Sequence, residues 1–176
     1  MPTSLATASK ALHRNPFSPL SYTGFGRHMA AAAEVLERIK SVPLLVLDDL
    51  GGLQIDRTEV TCPGLAEHAE MLQNLESFTS EDLPGPVKPL VEVLSKSKEL
   101  KLLGMRSNDL TLEDCKLLGE NRSLHFLSLI KCGITDDGIK LICQNPNIIS
   151  LTIRENPVTP DSIPVFAKLK NLTSID

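Results

Sequence analysis

The sequence predicts an α/β solenoid in which about six strands form a parallel sheet on the concave face and helices cover the convex face. Two observations support this prediction. Residues 100–176 repeat with a period of 24, and each unit changes from a spacing of two, typical of strands, to a spacing of three, typical of helices. One unit cannot bury its apolar face alone, so neighbouring units must stack. The units begin with the apolar residues Leu100, Leu124, Ile148 and Leu172.

The first half of each regular unit predicts a short strand with one buried face. Apolar residues occupy positions 1, 4 and 6, as in Leu100, Leu103 and Met105, and positions 4 and 6 share one face of a strand. Position 9, where the chain leaves the strand, holds Asn108 and Asn156. We expect each asparagine amide to bond backbone groups of the turn that would otherwise be buried without partners.

The second half of each unit predicts a helix. Apolar residues at positions 16 and 19 lie three apart and therefore share a helix face. The pairs are Cys115 with Leu118, Ile139 with Ile142, and Ile163 with Phe166. Position 12 is always threonine and acids follow within two residues, which suits the unpaired amides of a helix's first turn. These threonines are Thr111, Thr135 and Thr159.

The strand motif Leu100-Lys-Leu-Leu103-Gly-Met105-Arg-Ser-Asn108-Asp-Leu110 resembles the leucine-rich repeat family. The segment 134–143, Ile-Thr-Asp-Asp-Gly-Ile-Lys-Leu-Ile-Cys, is similar to the ribonuclease-inhibitor-like and GALA-like subclasses, whose convex side carries helices. The resemblance implies a binding role in one of several settings: inhibitors, adaptor subunits of ubiquitin ligases, or effectors secreted by intracellular bacteria. We favour an effector, because compact arrays of GALA-like units are common among them.

The chain before residue 100 matches the repeat less well. Residues 1–26 contain several prolines and glycines, and the first acid is Glu34. We expect a flexible or irregular leader, with a mitochondrial transit segment as the alternative. The leucine-rich repeat domain then spans 27–176, in which 27–41 predicts a capping helix, 42–99 irregular repeats and 100–176 regular repeats. No C-terminal cap is visible, so we expect the chain to continue or another chain to protect the last strand, and self-association there stays open.

Within residues 42–99 we expect two irregular units. Val42–Leu50 predicts the strand half of the first unit, followed by an excursion over 51–63 and a helix over 63–72. Residues 75–83 predict a degenerate strand with Ser80 at a core position, and 86–95 predict its helix, with Leu90, Val91 and Leu94 facing inward.

Composition and motifs argue against several function classes. The net charge of −4 argues against nucleic acid as the main partner, and no apolar run approaches the roughly 20 residues of a membrane span. The four cysteines form no CxxC pair, so we expect no zinc site but reduced, mostly buried thiols in a cytoplasmic compartment. His125 and Ser128 lie about three strands from Asp48, too far for a triad. We therefore expect a non-enzymatic protein with no catalytic, cofactor or metal residues.

The outward strand positions 3, 5, 7 and 8 predict a partner-binding surface. We expect an acidic half, an apolar centre and a mostly basic half, a pattern typical of protein-binding surfaces. The function predicted is a protein–protein interaction module, as in a bacterial effector acting on a host protein in the host cytosol. The alternatives are a mitochondrial assembly factor or the targeting domain of a larger enzyme such as a ubiquitin ligase. The predicted contact residues are Asp48, Asp49, Glu81, Asp82, Arg106, Phe126, Ile130, Lys131 and Arg154.

Overall fold

The computed structural model describes residues 45–47, 52–56 and 60–176. In these residues seven strands form a single sheet whose spatial order follows the chain order. Strands β1 and β2 pair antiparallel, and β2 to β7 are all parallel. The strands are β1 Leu45–Leu47, β2 Gly52–Asp56, β3 Ser77–Glu81, β4 Leu102–Arg106, β5 Phe126–Ile130, β6 Ser150–Thr152 and β7 Ser174–Ile175.

Short helices connect the parallel strands and pack side by side. Lys88–Leu94 packs against Leu112–Glu120, and Leu112–Glu120 packs against Asp136–Ile142. The prediction of one helix over 63–72 differs from the structure, because His68 leaves helical geometry (φ −102°, ψ 43°) and divides it into α1 and α2. The helices are α1 Cys62–Ala66, α2 Ala69–Gln73, α3 Lys88–Leu94, α4 Leu112–Glu120, α5 Asp136–Ile142 and α6 Ile163–Phe166, which follows a 3-10 turn at Pro160–Ser162.

The core lies between the sheet and the helices, where the repeat predicts it. The register pairs residues 24 apart, such as Leu103 with Leu127 and Leu127 with Leu151. Burying one such side chain stabilises the fold by roughly 1.5–3 kcal/mol. The predicted α/β solenoid with a parallel sheet is therefore confirmed, and the fold is leucine-rich-repeat-like. The buried leucines and isoleucines of the regular units include Leu100, Leu103, Leu124, Leu127, Ile148 and Leu151.

The first parallel strand is not the predicted one. Leu45–Leu47 is a strand, but it pairs antiparallel with β2. The parallel series starts at Gly52–Asp56, inside the segment predicted as an excursion and 25 residues before Ser77. Leu53 and Ile55 are 2% and 0% exposed and supply the core positions of this unit. Gly52, Gln54 and Asp56 alternate with these two residues and weaken the strand pattern. The sequence therefore predicts the more apolar segment Val42–Leu50 as the strand instead.

Several predictions concern residues outside the described part of the chain. These are the leader over 1–26, the capping helix over 27–41, and the two acids Asp48 and Asp49. Within the described residues, no helix is long and apolar enough to span a bilayer.

The predicted threonine caps form in two of three units. The Thr111 hydroxyl accepts from the Asp114 amide (3.2 Å), and Asp114 accepts from the Thr111 amide (2.9 Å), which closes a capping box. The Thr159 hydroxyl accepts from the Asp161 amide (3.2 Å), whereas the Thr135 side chain makes no cap bond. Ile163 is 63% exposed rather than inward, because the preceding 3-10 turn changes the rotation per residue.

Asp136 ties its own unit to the next one. Its carboxylate accepts from the Ser162 hydroxyl (2.6 Å), the Thr159 hydroxyl (2.7 Å) and the Thr159 amide (2.8 Å). These hydrogen bonds hold the pKa of the Asp136 carboxyl below its ordinary value, and the bond from the Ser162 hydroxyl has the largest effect.

The position 9 side chains bond the turn backbone, as predicted. The Asn156 carbonyl accepts from the amides of Cys132 (2.9 Å) and Ile134 (3.1 Å), and its amide donates to Leu129 (2.6 Å). The buried Asn108 donates to the Leu83 carbonyl (3.0 Å). In the middle unit Cys132 takes this position, with its thiol 3.3 Å from the Ile130 carbonyl. These contacts satisfy backbone groups between successive units.

Replacing Asn156 by alanine is expected to lower the free energy of unfolding by about 1–3 kcal/mol, because the amides of two buried residues lose their acceptor. Those residues, Cys132 and Ile134, are 0% and 1% exposed. A urea titration measures the loss. Asn171→Ala is the matched control, since the Asn171 amide donates to one carbonyl in an exposed contact. Equal losses for the two variants would contradict the assignment.

A second column of polar side chains, which the sequence analysis missed, runs along the helix-to-strand edge. Ser97 donates to Gln73 (2.8 Å), Asn121 to Ser97 (3.1 Å), and Asn145 to Asn121 (2.7 Å). Each bond reaches a carbonyl 24 residues earlier. Ser97, Asn121 and Asn145 are at most 5% exposed, so they compensate backbone carbonyls that water does not reach. The 24-residue spacing of Asn121 and Asn145 was the available signal.

Two glycines let α4 and α5 approach each other closely. A Cβ at Gly119 would overlap the carbonyl oxygen of Leu141 and lie 2.9 Å from its carbonyl carbon. A Cβ at Gly138 would lie 3.1 Å from the Cys115 sulfur. Both glycines are buried, so their missing side chains set the separation of the two helices.

Candidate partner-binding face

The outward strand residues form three parallel rows on the sheet face opposite the helices. Residues from all three rows line a hollow of about 520 Å³ on this concave face. The lower row is Ser77, Leu102, Phe126, Ser150 and Ser174. The middle row is Gln54, Thr79, Gly104, Ser128 and Thr152. The upper row is Glu81, Arg106 and Ile130, with Asp56 paired to Glu81.

Apolar side chains, Phe126 and Ile130, flank the hollow on opposite sides. Phe126 is 44% exposed and pairs with the half-buried Leu102 in the lower row. Half-buried Ile130 stands in the upper row across the hollow. Of the large apolar side chains exposed in the described residues, Phe126 is the one that lines the hollow. An aromatic ring held this way on a rigid sheet has the character of an interface anchor.

Two of the three predicted cations of the face, Arg106 and Arg154, are held in ion pairs. Arg106 lies 3.3 Å from Glu155 (Nη2 to Oε1) and 3.8 Å from Glu81 (Nε to Oε1). Arg154 forms an ion pair with Asp176. The sequence predicts an acidic half and a mostly basic half, whereas the structure brings Glu81 and Glu155 to the same arginine. Because these side chains are largely exposed, the pairs contribute little to stability. Arg106 compensates one of its two acids, so the three side chains together keep one negative charge beside the hollow.

Position 8 lies at the rim of the face rather than on it. Asp82, Ser107, Lys131 and Glu155 have φ between 53° and 59° and follow the strands as turn residues. The amides of Asp82, Ser107 and Lys131 each donate to a carbonyl of the next unit, as in Lys131 to the Arg154 carbonyl (3.0 Å). The sequence predicts Asp82 and Lys131 on the face. Residues other than glycine seldom adopt a positive φ, and nothing in the sequence marks it at these positions. Exposed Lys131 forms no ion pair with a described residue.

Two of the predicted contact residues at the start of the face are the acids Asp48 and Asp49. Asp48 and Asp49 lie outside the described residues. The upper-row place predicted for Asp48 belongs to Asp56, which pairs with Glu81 in the register. An acidic residue therefore still stands at this end of the upper row.

Burial lowers the reactivity of the four cysteine thiols. Burial raises the pKa of the thiols of Cys62, Cys115, Cys132 and Cys143 to about 11, so they stay protonated at neutral pH and are poor nucleophiles. The His125 Nδ1 lies 2.6 Å from the Ser123 carbonyl and donates to it. No group of three or more potential metal ligands is present among the described residues.

The uncharged residues at position 5 of the units are not among the predicted contact residues of the face. Thr79, Gly104, Ser128 and Thr152 line the hollow beside Leu102. The available signal was position 5 of successive units, which carries short residues throughout the described strands except at Gln54.

No family model matches the sequence. No curated protein matches it. Among solved structures, the "Crystal structure of TLR13-ssRNA13 complex" is similar at 22% sequence identity with a TM-score of 0.47. The match covers 63% of this chain and 17% of that chain, so this chain spans only a small part of the length of the protein it matches.

Proposed function

We propose that the protein is a non-enzymatic protein–protein interaction module whose partner binds on the concave face, over Phe126 and Ile130. The observation that carries the proposal is the 44% exposure of Phe126 at the edge of a hollow of about 520 Å³. Complete burial of such a side chain is worth roughly 1.5–3 kcal/mol. A rigid sheet presents the ring without a cost for ordering a loop, which favours its use as an anchor.

The charged rim orients the partner and contributes little to affinity. Arg106 and Arg154 are paired with acids of this chain, so the rim shows both charge signs side by side. Lys131 adds a cation at the rim, and Asp82 adds an acid. Charges arranged in this way favour one orientation and raise the association rate more than they raise affinity.

The cellular setting of the proposal comes from the repeat resemblance. In that setting the chain is an effector of an intracellular bacterium and its partner is a host protein, met in the host cytosol.

Replacing Phe126 by alanine is expected to weaken partner binding at least tenfold, or about 1.4 kcal/mol. The partner is first captured on the full chain, purified, and titrated against each variant by calorimetry. Leu112→Ala is the matched control, since Leu112 is a large apolar side chain of α4 that is 52% exposed on the helical side. The reverse result, with Leu112→Ala weakening binding and Phe126→Ala leaving it unchanged, would move the site to the convex face.

A further inference from the structure

We infer that the end face of the sheet at β7 is an interface for a second copy of this chain, in which the two β7 strands pair antiparallel about a two-fold axis. The end face consists of α6, β7 and the segment between them, residues 163–175. The inference goes beyond the proposed function and uses a different surface from the concave face. Three observations carry it: uncovered core residues, a strand edge that matches its own antiparallel copy, and unlike charges at the two ends of that edge.

Side chains at core positions of the repeat lose their cover in the end face. Ile175 stands beside Leu151 in the register, yet it is 47% exposed where Leu151 is 0% exposed. The half-buried Phe166 and Leu172 take repeat positions 19 and 1, at which the preceding units hold buried residues. These buried counterparts are Leu118, Leu124, Ile142 and Ile148. An apolar end of this kind is typical of a surface that another protein layer covers.

The backbone edge of β7 is complementary to a second copy of itself. The Asp176 amide donates to the Leu151 carbonyl (3.0 Å), and the Asp176 carbonyl accepts from the Ile153 amide (2.8 Å), so both backbone groups of Asp176 face β6. Successive residues of a strand direct their backbone groups to opposite sides, so the N–H and C=O of Ile175 point away from β6. Two Ile175 residues set opposite each other in an antiparallel pair would exchange both hydrogen bonds. The two-fold axis then passes between them.

Unlike charges lie at the two ends of the end face. Each helix runs back from the end of one strand to the start of the next parallel strand. Asp161, just before α6, therefore lies at the carboxyl end of the strands, and Lys168 and Lys170, after α6, lie at the amino end of β7. All three are exposed, and none forms an ion pair with a described residue. A two-fold axis perpendicular to the sheet reverses one copy, so Asp161 of each copy faces the lysines of the other.

The charges and the layers favour this axis over the alternative. With the axis along the strands, the acids of both copies would lie at the same end, and the two helix layers would lie on opposite sides of the sheet. The perpendicular axis brings unlike charges together and keeps both helix layers on one side, so the core continues from one copy into the next. The assembly closes at two copies, because each end face is used once.

Sedimentation velocity of the full chain over a range of concentrations tests the inference. The expected result is a reversible shift from the mass of one chain towards twice that mass. Ile175→Pro removes an N–H that points away from β6 and no hydrogen bond within the chain. It is expected to raise the dimer dissociation constant by about tenfold or more, because both exchanged bonds are lost.

Ile175→Val keeps the donor and a β-branched side chain, so it is the matched control and is expected to dimerise. Circular dichroism checks that each variant is folded. A chain that stays monomeric at every concentration would overturn the inference, as would a dimer that folded Ile175→Pro leaves unchanged.

A pair of charge reversals tests the direction of the two strands. Lys168→Glu and Asp161→Lys each bring like charges together in the two-fold pair, so each variant alone is expected to dimerise about tenfold more weakly. A mixture of the two variants restores both unlike contacts and is expected to form a heterodimer with the wild-type dissociation constant. Lys96→Glu, which also follows a helix but lies in an earlier unit, is the control and is expected to change nothing. If the mixture associates no better than either variant alone, the antiparallel arrangement is wrong.

Discussion

Truncating Leu127 to alanine is expected to lower the free energy of unfolding by about 2–5 kcal/mol. Leu127 is 2% exposed and pairs with Leu103 on one side and Leu151 on the other. The loss combines the transfer energy of the deleted atoms with a cavity that neighbouring units cannot close, because hydrogen bonds on both sides fix the strand spacing. Such a loss is a large part of the stability of a domain of this size.

A urea titration followed by circular dichroism measures the effect of Leu127→Ala. Leu112→Ala makes the same chemical change at a side chain that is 52% exposed, and its cost is expected to stay within about 0.5 kcal/mol. Similar midpoints for the two variants would show that the repeat register at position 4 is wrong.

Replacing Gly119 by alanine is expected to destabilise the fold by about 1–3 kcal/mol, although the same exchange normally favours a helix. The added methyl would overlap the Leu141 carbonyl oxygen and lie 3.2 Å from the Cα of Ile142. Both contacts are backbone, so no side-chain rotation removes them, and α4 must shift away from α5.

Thermal unfolding of Gly119→Ala against wild type measures this loss. Glu120→Ala, at the neighbouring exposed residue of the same helix, shows what a change of helix propensity does without the overlap. If Gly119→Ala raised the melting temperature instead, helix propensity would outweigh the overlap, and the close packing of α4 and α5 would not be a constraint.

The regular part of the fold was predictable because the same packing arrangement is repeated in each unit. Leu103, Leu127 and Leu151 occupy the same position in three units, so the same burial argument applies three times and an error in one unit is visible in the others. The capping threonine Thr111 and the turn asparagine Asn156 were predictable for a related reason. Thr111 bonds the first turn of its own helix, which local sequence specifies. Asn156 bonds the backbone of the preceding unit, and its place was predictable because asparagine recurs at position 9 of the repeat.

The first parallel strand was not predictable, because its choice depends on pairing with distant residues. Leu45–Leu47 is more apolar than Gly52–Asp56, yet the second segment provides the register with Ser77–Glu81. Local strand preference does not report which of two adjacent segments continues a sheet.

The character of the candidate face was only partly predictable. Phe126 and Ile130 follow from outward strand positions, but the pairing of Arg106 with Glu155 joins residues 49 apart. Long side chains choose such partners in three dimensions, so a row of charges in sequence does not give the charge of the surface.

The order of the strands has a mechanical consequence. Because β2 to β7 lie in the sheet in the order in which the chain makes them, a force applied along the chain removes one coil at a time and leaves the remaining coils intact. Each detached coil of 24 residues lengthens the tether by about 80 Å. A ligand bound across several coils would hold them together against the force. The coils that it contacts would then detach in one larger extension, at a higher force than a single coil requires.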